Sequence, residues 1–148
     1  MKRIFTFLLA LMMALVLAAP TFAEETYSIT ITNTATGHTY EAYQIFAGDL
    51  HEKVLSNVVW GSGVNESGKT ALGNAAEKAA SLATRDDAHA FAKEVAAYLT
   101  NPTKSTAGNG VYTISGLTAG YYLVKDQNNT LTNADDFYTA YIMEVVGN

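Results

Sequence analysis

The fold is decided by two stretches, Tyr27-Ser28-Ile29-Thr30-Ile31-Thr32 and Thr39-Tyr40-Glu41-Ala42-Tyr43-Gln44-Ile45-Phe46. In the first stretch, apolar and hydroxyl residues alternate with a period of two, which is typical of a strand with one buried face. The second stretch is rich in aromatic residues, which favour strands, and we expect a central strand that stops at residues 47–49. Turn-forming residues at positions 33–37 separate the two stretches. Together they predict a mainly β protein.

Further strand patterns follow on the C-terminal side. They lie at residues 54–60, 110–115, 121–125 and 137–146. Glycines at both ends of residues 116–120 indicate a tight connection, and a polar loop is expected from Asp126 to Asp136. Several short strands separated by turns indicate an antiparallel β-sandwich.

A helical insertion is expected at about residues 70–100, where alanines accumulate and β-branched residues become rare. The better supported helix covers residues 86–100 and a weaker one covers residues 70–82. Thr84 and Asp87 have the spacing of a capping box, which indicates a helix start. The helices are expected to cap or bridge the sandwich.

The N-terminus has the pattern of a secretory signal. Lys2 and Arg3 precede an uncharged apolar run over residues 4–19, and small residues lead to a cleavage site between Ala23 and Glu24. A transmembrane anchor is the alternative, but the run is shorter than the ~20 residues that span a bilayer. We expect a signal peptide at residues 1–23, one secreted domain at residues 24–148, and no membrane attachment after cleavage.

The charge and the absence of cysteine argue against several classes of function. Fourteen acidic residues exceed nine basic ones, and removal of Lys2 and Arg3 makes the exported part more acidic. Nucleic acid is therefore not an expected partner, because phosphate binding needs a basic surface. The chain has no cysteine, which excludes thiolate catalysis and disulfides. The exported domain must obtain its stability from its core or from another covalent link.

Titratable residues give no recognisable catalytic or metal pattern. His38, His51 and His89 lack ligand spacing, so three surface histidines are favoured over a metal site. The pairs Asp86-Asp87 and Asp135-Asp136 resemble paired carboxylates, but the first pair sits where a helix N-terminus favours negative charge. No cofactor is expected.

A phosphate-loop spacing is present between Gly63 and Thr70. Four residues separate Gly63 from Gly68, which is followed by Lys69 and Thr70. A phosphate loop also needs a buried parallel strand that leads into a helix, within a series of βα units. The sequence predicts no such series, so a coincidental turn is the favoured interpretation.

Tyrosines and other aromatic residues are frequent enough for a sugar-stacking surface. The candidates are Tyr40, Tyr43, Phe46, Trp60, Tyr112, Tyr121, Tyr122, Tyr138 and Tyr141. Strands favour tyrosine with its ring in the core, so core packing is preferred over a glycan platform.

Five segments, in order along nearly the whole chain, resemble the N-terminal domain of Gram-positive sortase-assembled, isopeptide-forming pilins. They are residues 27–31, 37–46, 60–64, 120–126 and 145–148. The resemblance implies an immunoglobulin-like sandwich and a structural role in a covalent cell-surface fibre. Its partners would be other pilin subunits and a sortase, and its location the cell wall of a Gram-positive bacterium.

The resemblance also implies sites that this chain lacks. Pilins of this family are joined through a Leu-Pro-x-Thr-Gly signal and a lysine in a Pro-Lys motif, and neither occurs before Asn148. We therefore expect a truncated or stand-alone form of the first domain. Where related domains carry the acid of the isopeptide motif Tyr-x-Leu-x-Glu, this chain has Lys125, so no isopeptide bond is expected through that motif.

A truncated sheet is expected to leave an edge open, and open edges pair with other chains. Self-association or strand donation by a partner follows from this. The leading expectation is a non-enzymatic fimbrial subunit-type domain. The alternative is a secreted adhesin module that recognises a glycan or matrix protein of a host, and an enzyme ranks third.

Overall fold

The protein is described by a computed structural model that covers residues 25–34, 36–52, 54–127 and 141–145. Over these residues the chain is mainly β, with two antiparallel sheets arranged like a sandwich and a short helical segment, as the sequence predicts. The strands are β1 (Tyr27–Thr32), β2 (Tyr40–His51), β3 (Val54–Trp60), β4 (Thr103–Lys104), β5 (Thr106–Gly108), β6 (Val111–Leu117), β7 (Gly120–Asp126) and β8 (Tyr141–Val145).

The smaller sheet has the strand order β1-β6-β5. Its alternation follows the sequence, because Ile29 is buried while Ser28 and Thr30 on either side are exposed. Strands β5 and β6 are joined by Asn109 and Gly110, which have φ values of 48° and 78°. Two such positive values suit the tight turns of hairpins, and Asn-Gly is a favoured pair there.

The larger sheet has the order β3-β2-β7-β8, and the short strand β4 also pairs with β2. Strand β2 continues to His51, beyond the stop expected at residues 47–49. It continues because Gly48 sits opposite a bulge in β3, where a Cβ atom would lie 2.4 Å from the carbonyl oxygen of Ser56. Gly48, which suggests a turn in the sequence, is thus a strand residue in close contact with β3.

Two clusters of buried residues cover the two faces of the larger sheet. The inter-sheet core lies between the sheets and includes Ile29, Ala42, Ile114 and Val124. The helix-side core lies under the helical segment; its members are Tyr43, Ile45, Phe46, Val64, Leu72, Ala75, Phe91, Ala92, Val95 and Leu123. Strands β2 and β7 contribute to both clusters, which explains why their sequences are apolar on successive residues.

Three short helices replace the two that the sequence predicts. They are α1 (Glu66–Leu72), α2 (Ala75–Ala80) and α3 (Arg85–Val95), and a 3₁₀ turn at Ala96–Tyr98 follows. The expected start at residue 70 is wrong, because Asn65 caps a helix that begins at Glu66, and Gly73 with φ of 83° ends it. The capping box of Thr84 and Asp87 is confirmed at the start of α3.

Some expectations lie outside the described residues. These are the signal at residues 1–23 with its cleavage site, the pair Asp135-Asp136, and the first residues of the last strand, which is described only as Tyr141–Val145. Among the described helices none has the length and apolar character of a membrane span.

Candidate functional site

The candidate site lies at one end of the β2–β7 strand pair. Here Tyr40 pairs with Asp126 and Glu41 pairs with Lys125 in the antiparallel register. Consecutive residues of a strand point to opposite faces, so the two pairs serve different sides of the larger sheet. Both carboxylates are buried, with 6% of Glu41 and 1% of Asp126 exposed. Buried carboxylates need partners, because an unpaired buried charge is strongly destabilising.

On the helix side, Glu41, Tyr43 and Lys125 form the Glu41 cluster. The hydroxyl of Tyr43 donates a hydrogen bond of 3.1 Å to Oε1 of Glu41, and Nζ of Lys125 lies 3.8 Å from the same oxygen. Nζ of Lys125 also lies 5.9 Å from the centre of the Tyr43 ring, within reach of a cation–π contact. The carboxylate of Glu41 thus has a cation and a hydrogen-bond donor beside it.

The Glu41 cluster changes the acidity of its tyrosine. Burial raises the pKa of Tyr43 to about 12, and the negative charge of Glu41 and the hydrogen bond to it act in the same direction. A phenol with so high a pKa keeps its proton at neutral pH. Tyr43 is therefore suited to donating a hydrogen bond rather than to acting as a base.

Between the sheets, His38 and Asp126 form the centre of a second group, the His38 cluster. Nδ1 of His38 lies 2.6 Å from Oδ2 of Asp126. The His38 ring stacks on Tyr40 at 6.0 Å and meets the edge of Tyr112 at 6.2 Å, measured between ring centres. Asn33 donates a hydrogen bond of 2.9 Å to the hydroxyl of Tyr40. The cluster connects β2, β6 and β7 with the turn that follows β1.

The expectation that all three histidines lie on the surface is wrong for His38. His38 is not a surface residue, because only 13% of its side chain is exposed and its partner is 88 residues away in the chain. His51 is on the surface, with 87% of its side chain exposed, and His89 is half-buried on α3. Among the described residues no three His, Cys, Asp or Glu side chains come together in a way that holds a metal ion.

A histidine held by a buried aspartate can serve two purposes. In hydrolases such a pair orients the imidazole that activates a nucleophile. Here the ring contacts of His38 are with Tyr40 and Tyr112, which belong to different sheets. These ring contacts hold the imidazole between the sheets. The contact of His38 with Asp126 therefore also holds Asp126 at the sheet interface.

Lys125, which occupies the place of the acid in the isopeptide motif, is half-buried beside Glu41. The structure therefore brings a lysine and a carboxylate together, but the carboxylate comes from the neighbouring strand and not from the motif. Sequence reasoning missed Glu41 and Asp126. The signal that would have found them is an acidic residue directly beside the aromatic and aliphatic part of each of these two strands.

The phosphate-loop interpretation fails on its geometry. Gly68, Lys69 and Thr70 lie inside α1, and the backbone amide of Gly68 donates to Oδ1 of Asn65 at 2.8 Å. The amide of Gly63 donates to the carbonyl of Gln44 at 2.8 Å. The strand before this loop is antiparallel, not a parallel strand leading to a nucleotide. The spacing is a coincidence, as expected.

Asp86 and Asp87 lie in the first turn of α3. Oδ2 of Asp87 accepts from the Thr84 amide at 3.1 Å, and the Thr84 hydroxyl accepts from the Asp87 amide at the same distance. Both side chains are exposed, and their role is helix capping.

The aromatic residues pack as expected. Tyr43, Phe46, Tyr112 and Tyr122 are buried, and the half-buried ring of Trp60 stacks on Phe46 with 5.2 Å between ring centres. Tyr40 and Tyr121 are also half-buried, and the side chains of Tyr138 and Tyr141 lie outside the description. Core packing is confirmed for the described aromatic residues.

One apolar cavity of about 430 Å³ opens between the larger sheet and the helices. Phe46, Leu55, Val58 and Tyr121 line its sheet side, and Ala76, Ala79, Ala80, Leu82 and Ala88 line the helix side. Its volume is within the range of small-molecule sites, about 300–1,000 Å³. No protein-family model matches the chain, and the comparisons with curated proteins and with solved structures likewise give no match.

Proposed function

We propose that the exported part of the chain is a structural domain on the bacterial cell surface, of the kind that forms pilus or fimbrial subunits, with an immunoglobulin-like sandwich. The support is the export pattern, the resemblance of five segments to sortase-assembled pilins, and the mainly β architecture of two antiparallel sheets. Other subunits of the fibre are its partners, and a sortase acts on full-length relatives.

The observation that carries this proposal is that each buried carboxylate has a basic side chain beside it. The His38–Asp126 contact and the Glu41–Lys125 contact lie on opposite faces of the same strand pair. These strands pair from Tyr40 to Ala47 of β2 and over the whole of β7, with a shift in register between Gln44 and Phe46. An exported domain without cysteine has no disulfides, so its stability depends on its core and on contacts of this kind.

The alternative is a secreted adhesin module, and one observation favours it. The apolar cavity beside Phe46 and Tyr121 is large enough for a small apolar group of a ligand. The aromatic surface that first suggested a glycan platform has less support, because the described aromatic side chains are buried or half-buried. Catalysis ranks third, and turnover of any substrate by the purified chain would favour it.

The proposal is tested on the bacterium that produces the chain. An antibody against the purified domain is applied to intact cells, to cell-wall extracts and to the culture medium. We expect labelling of intact cells and recovery of the chain from cell-wall extracts together with fibre subunits, because the proposed role is on the cell surface. Recovery of the chain only as a free monomer in the medium would overturn the proposal.

The alternative is tested separately by ligand arrays of glycans and matrix proteins. Ala79→Phe fills the cavity, whereas Ala90→Phe places the same side chain on an exposed position of α3. Binding that is abolished by the first variant and retained by the second would favour the adhesin module. Binding that neither variant changes would assign recognition to another surface.

A further inference from the structure

Strand β3 is an edge of the larger sheet and carries no formal charge. Its sequence is Val54-Leu55-Ser56-Asn57-Val58-Val59-Trp60, without proline or glycine. Within the described residues β2 is the only strand that pairs with it. Edge strands usually carry charges or proline that prevent pairing with another chain, and short uncharged β-forming segments are those that associate.

The side chains of β3 divide between two faces. Leu55, Val58 and Trp60 pack against the helix-side core. Val54 and Val59 are on the other face and remain 65% and 56% exposed. They share a face although five positions separate them, because Asn57, with φ of 51°, forms a bulge that shifts the alternation by one residue.

The other sheet edges are less suited to pairing. Strands β1 and β8 approach each other, so these two edges face one another across the sandwich. Strands β4 and β5 have only two and three residues. The chain has a net charge of −5, so two copies repel each other, and an uncharged edge allows the closest approach at the lowest electrostatic cost.

We propose that β3 pairs in antiparallel fashion with β3 of a second copy of this chain. The two-fold axis passes between Ser56 and Asn57 of the two strands. In this register Val54 lies opposite Val59 of the second copy, and Leu55 lies opposite Val58. Residues directly opposite in an antiparallel pair point to the same face. Both of these residue pairs meet that condition, because the bulge at Asn57 places Val54 with Val59 on one face and Leu55 with Val58 on the other.

The pairing buries the two exposed valines and joins the larger sheets of both copies into one. It is an isologous contact, in which the same segment of each copy forms both sides of the interface. The proposal goes beyond the fibre-subunit function and does not depend on it, because a fibre linked end to end leaves β3 free for lateral contact.

The register is tested by cross-linking, for which a chain without cysteine is well suited. The exported chain is prepared as Val54→Cys and as Val59→Cys, and the two variants are oxidised alone and as a mixture. Directly opposite Cβ atoms lie about 4.5–5.5 Å apart, close enough for a disulfide after small adjustments. We expect a linked dimer that forms several-fold more in the mixture than in either variant alone.

The control mixes Val54→Cys with Val111→Cys, since Val111 is an exposed valine of the smaller sheet. Equal cross-linking in the control and in the test mixture would overturn the register. A second measurement uses light scattering over a range of protein and salt concentrations. The unmodified chain should dimerise more at high salt, Val59→Lys should remain monomeric, and Val111→Lys should dimerise as the unmodified chain does.

A monomer at every concentration would overturn the pairing of β3. It would leave the fibre-subunit proposal untouched, because that proposal is decided by where the chain is found on the cell. Circular dichroism of each variant checks that the fold is retained.

Discussion

Lys125 and Asp126 are neighbours in the chain, yet their side chains lie on opposite faces of the larger sheet. Lys125 contacts Glu41 on the helix side, whereas Asp126 contacts His38 between the sheets. Each of the two buried carboxylates thus has a basic partner, and both pairs lie within one short segment of β2 and β7. The stability of this cysteine-free chain should depend on both contacts.

Replacement of Asp126 by asparagine should weaken the contact between the sheets. The change keeps the volume but removes the charge that His38 contacts at 2.6 Å, and we expect a loss of about 2 kcal/mol in the free energy of unfolding. Urea unfolding measures it. Asp86→Asn at the exposed start of α3 is the matched control and should cost less than about 1 kcal/mol. Equal losses in both variants would contradict a special role for Asp126.

Replacement of Lys125 by methionine should leave the carboxylate of Glu41 buried without its cation. The pair is partly solvated, so we expect a loss of about 2 kcal/mol, below the roughly 3–5 kcal/mol of a fully buried pair. Lys104 also pairs in register with Glu41 but is exposed, and Lys104→Met should change stability by less than about 0.5 kcal/mol. The double variant Glu41→Gln with Lys125→Met should recover part of the loss.

The stability of the domain should fall in strong alkali because of Tyr43. Its pKa is about 12 in the folded chain and near 10 in an ordinary tyrosine, so the folded state holds the proton more tightly. That contribution is complete below pH 10 and is lost as the pH rises through the folded value. Unfolding monitored together with phenolate absorbance measures it. Tyr43→Phe should lack this part of the alkaline loss, and an unchanged profile in that variant would refute the assignment.

Gly68→Ala should destabilise the domain although it lies within a helix. Alanine normally stabilises a helix by about 1 kcal/mol relative to glycine. Here its Cβ would lie 2.5 Å from Cβ of Tyr98, so the clash should reverse the sign and give a net loss of about 1–3 kcal/mol. Gly108→Ala is the control, because nothing lies within 4 Å of its added Cβ. A gain in stability for Gly68→Ala would show that α1 can move away.

The intact mass of the purified chain should equal the mass calculated for its sequence without an internal amide. Lys125 and Glu41 are held as an ion pair at 3.8 Å, and amide formation between such groups needs proton transfer assisted by a further acid. The neighbouring carboxylate, Asp126, lies on the other face of the sheet. A mass lower by one water or one ammonia would show that an internal amide has formed.

Local features of the fold could be predicted from the sequence because each one is encoded within a few residues. The period-two alternation of β1, the bounds of β3 and the capping box of α3 are such cases. Gly73 and Asn74 mark the break between α1 and α2. The sequence prediction missed this break, because it took the start and the period of the helix from the alanine-rich residues. The short strands β4 and β5 contain too few residues to show a period.

The candidate site required the tertiary structure. His38 and Asp126 are separated by 88 residues, and nothing near either one in the chain names the other. Their contact depends on the register between β2 and β7, and a slip of either strand by one residue would turn the carboxylate of that strand to the opposite face. The sequence by itself determined where the longer strands and the helical segment lie, because local periodicity and capping decide that. The tertiary structure alone decided which charges meet, since pairing in a sheet is set by long-range register and burial.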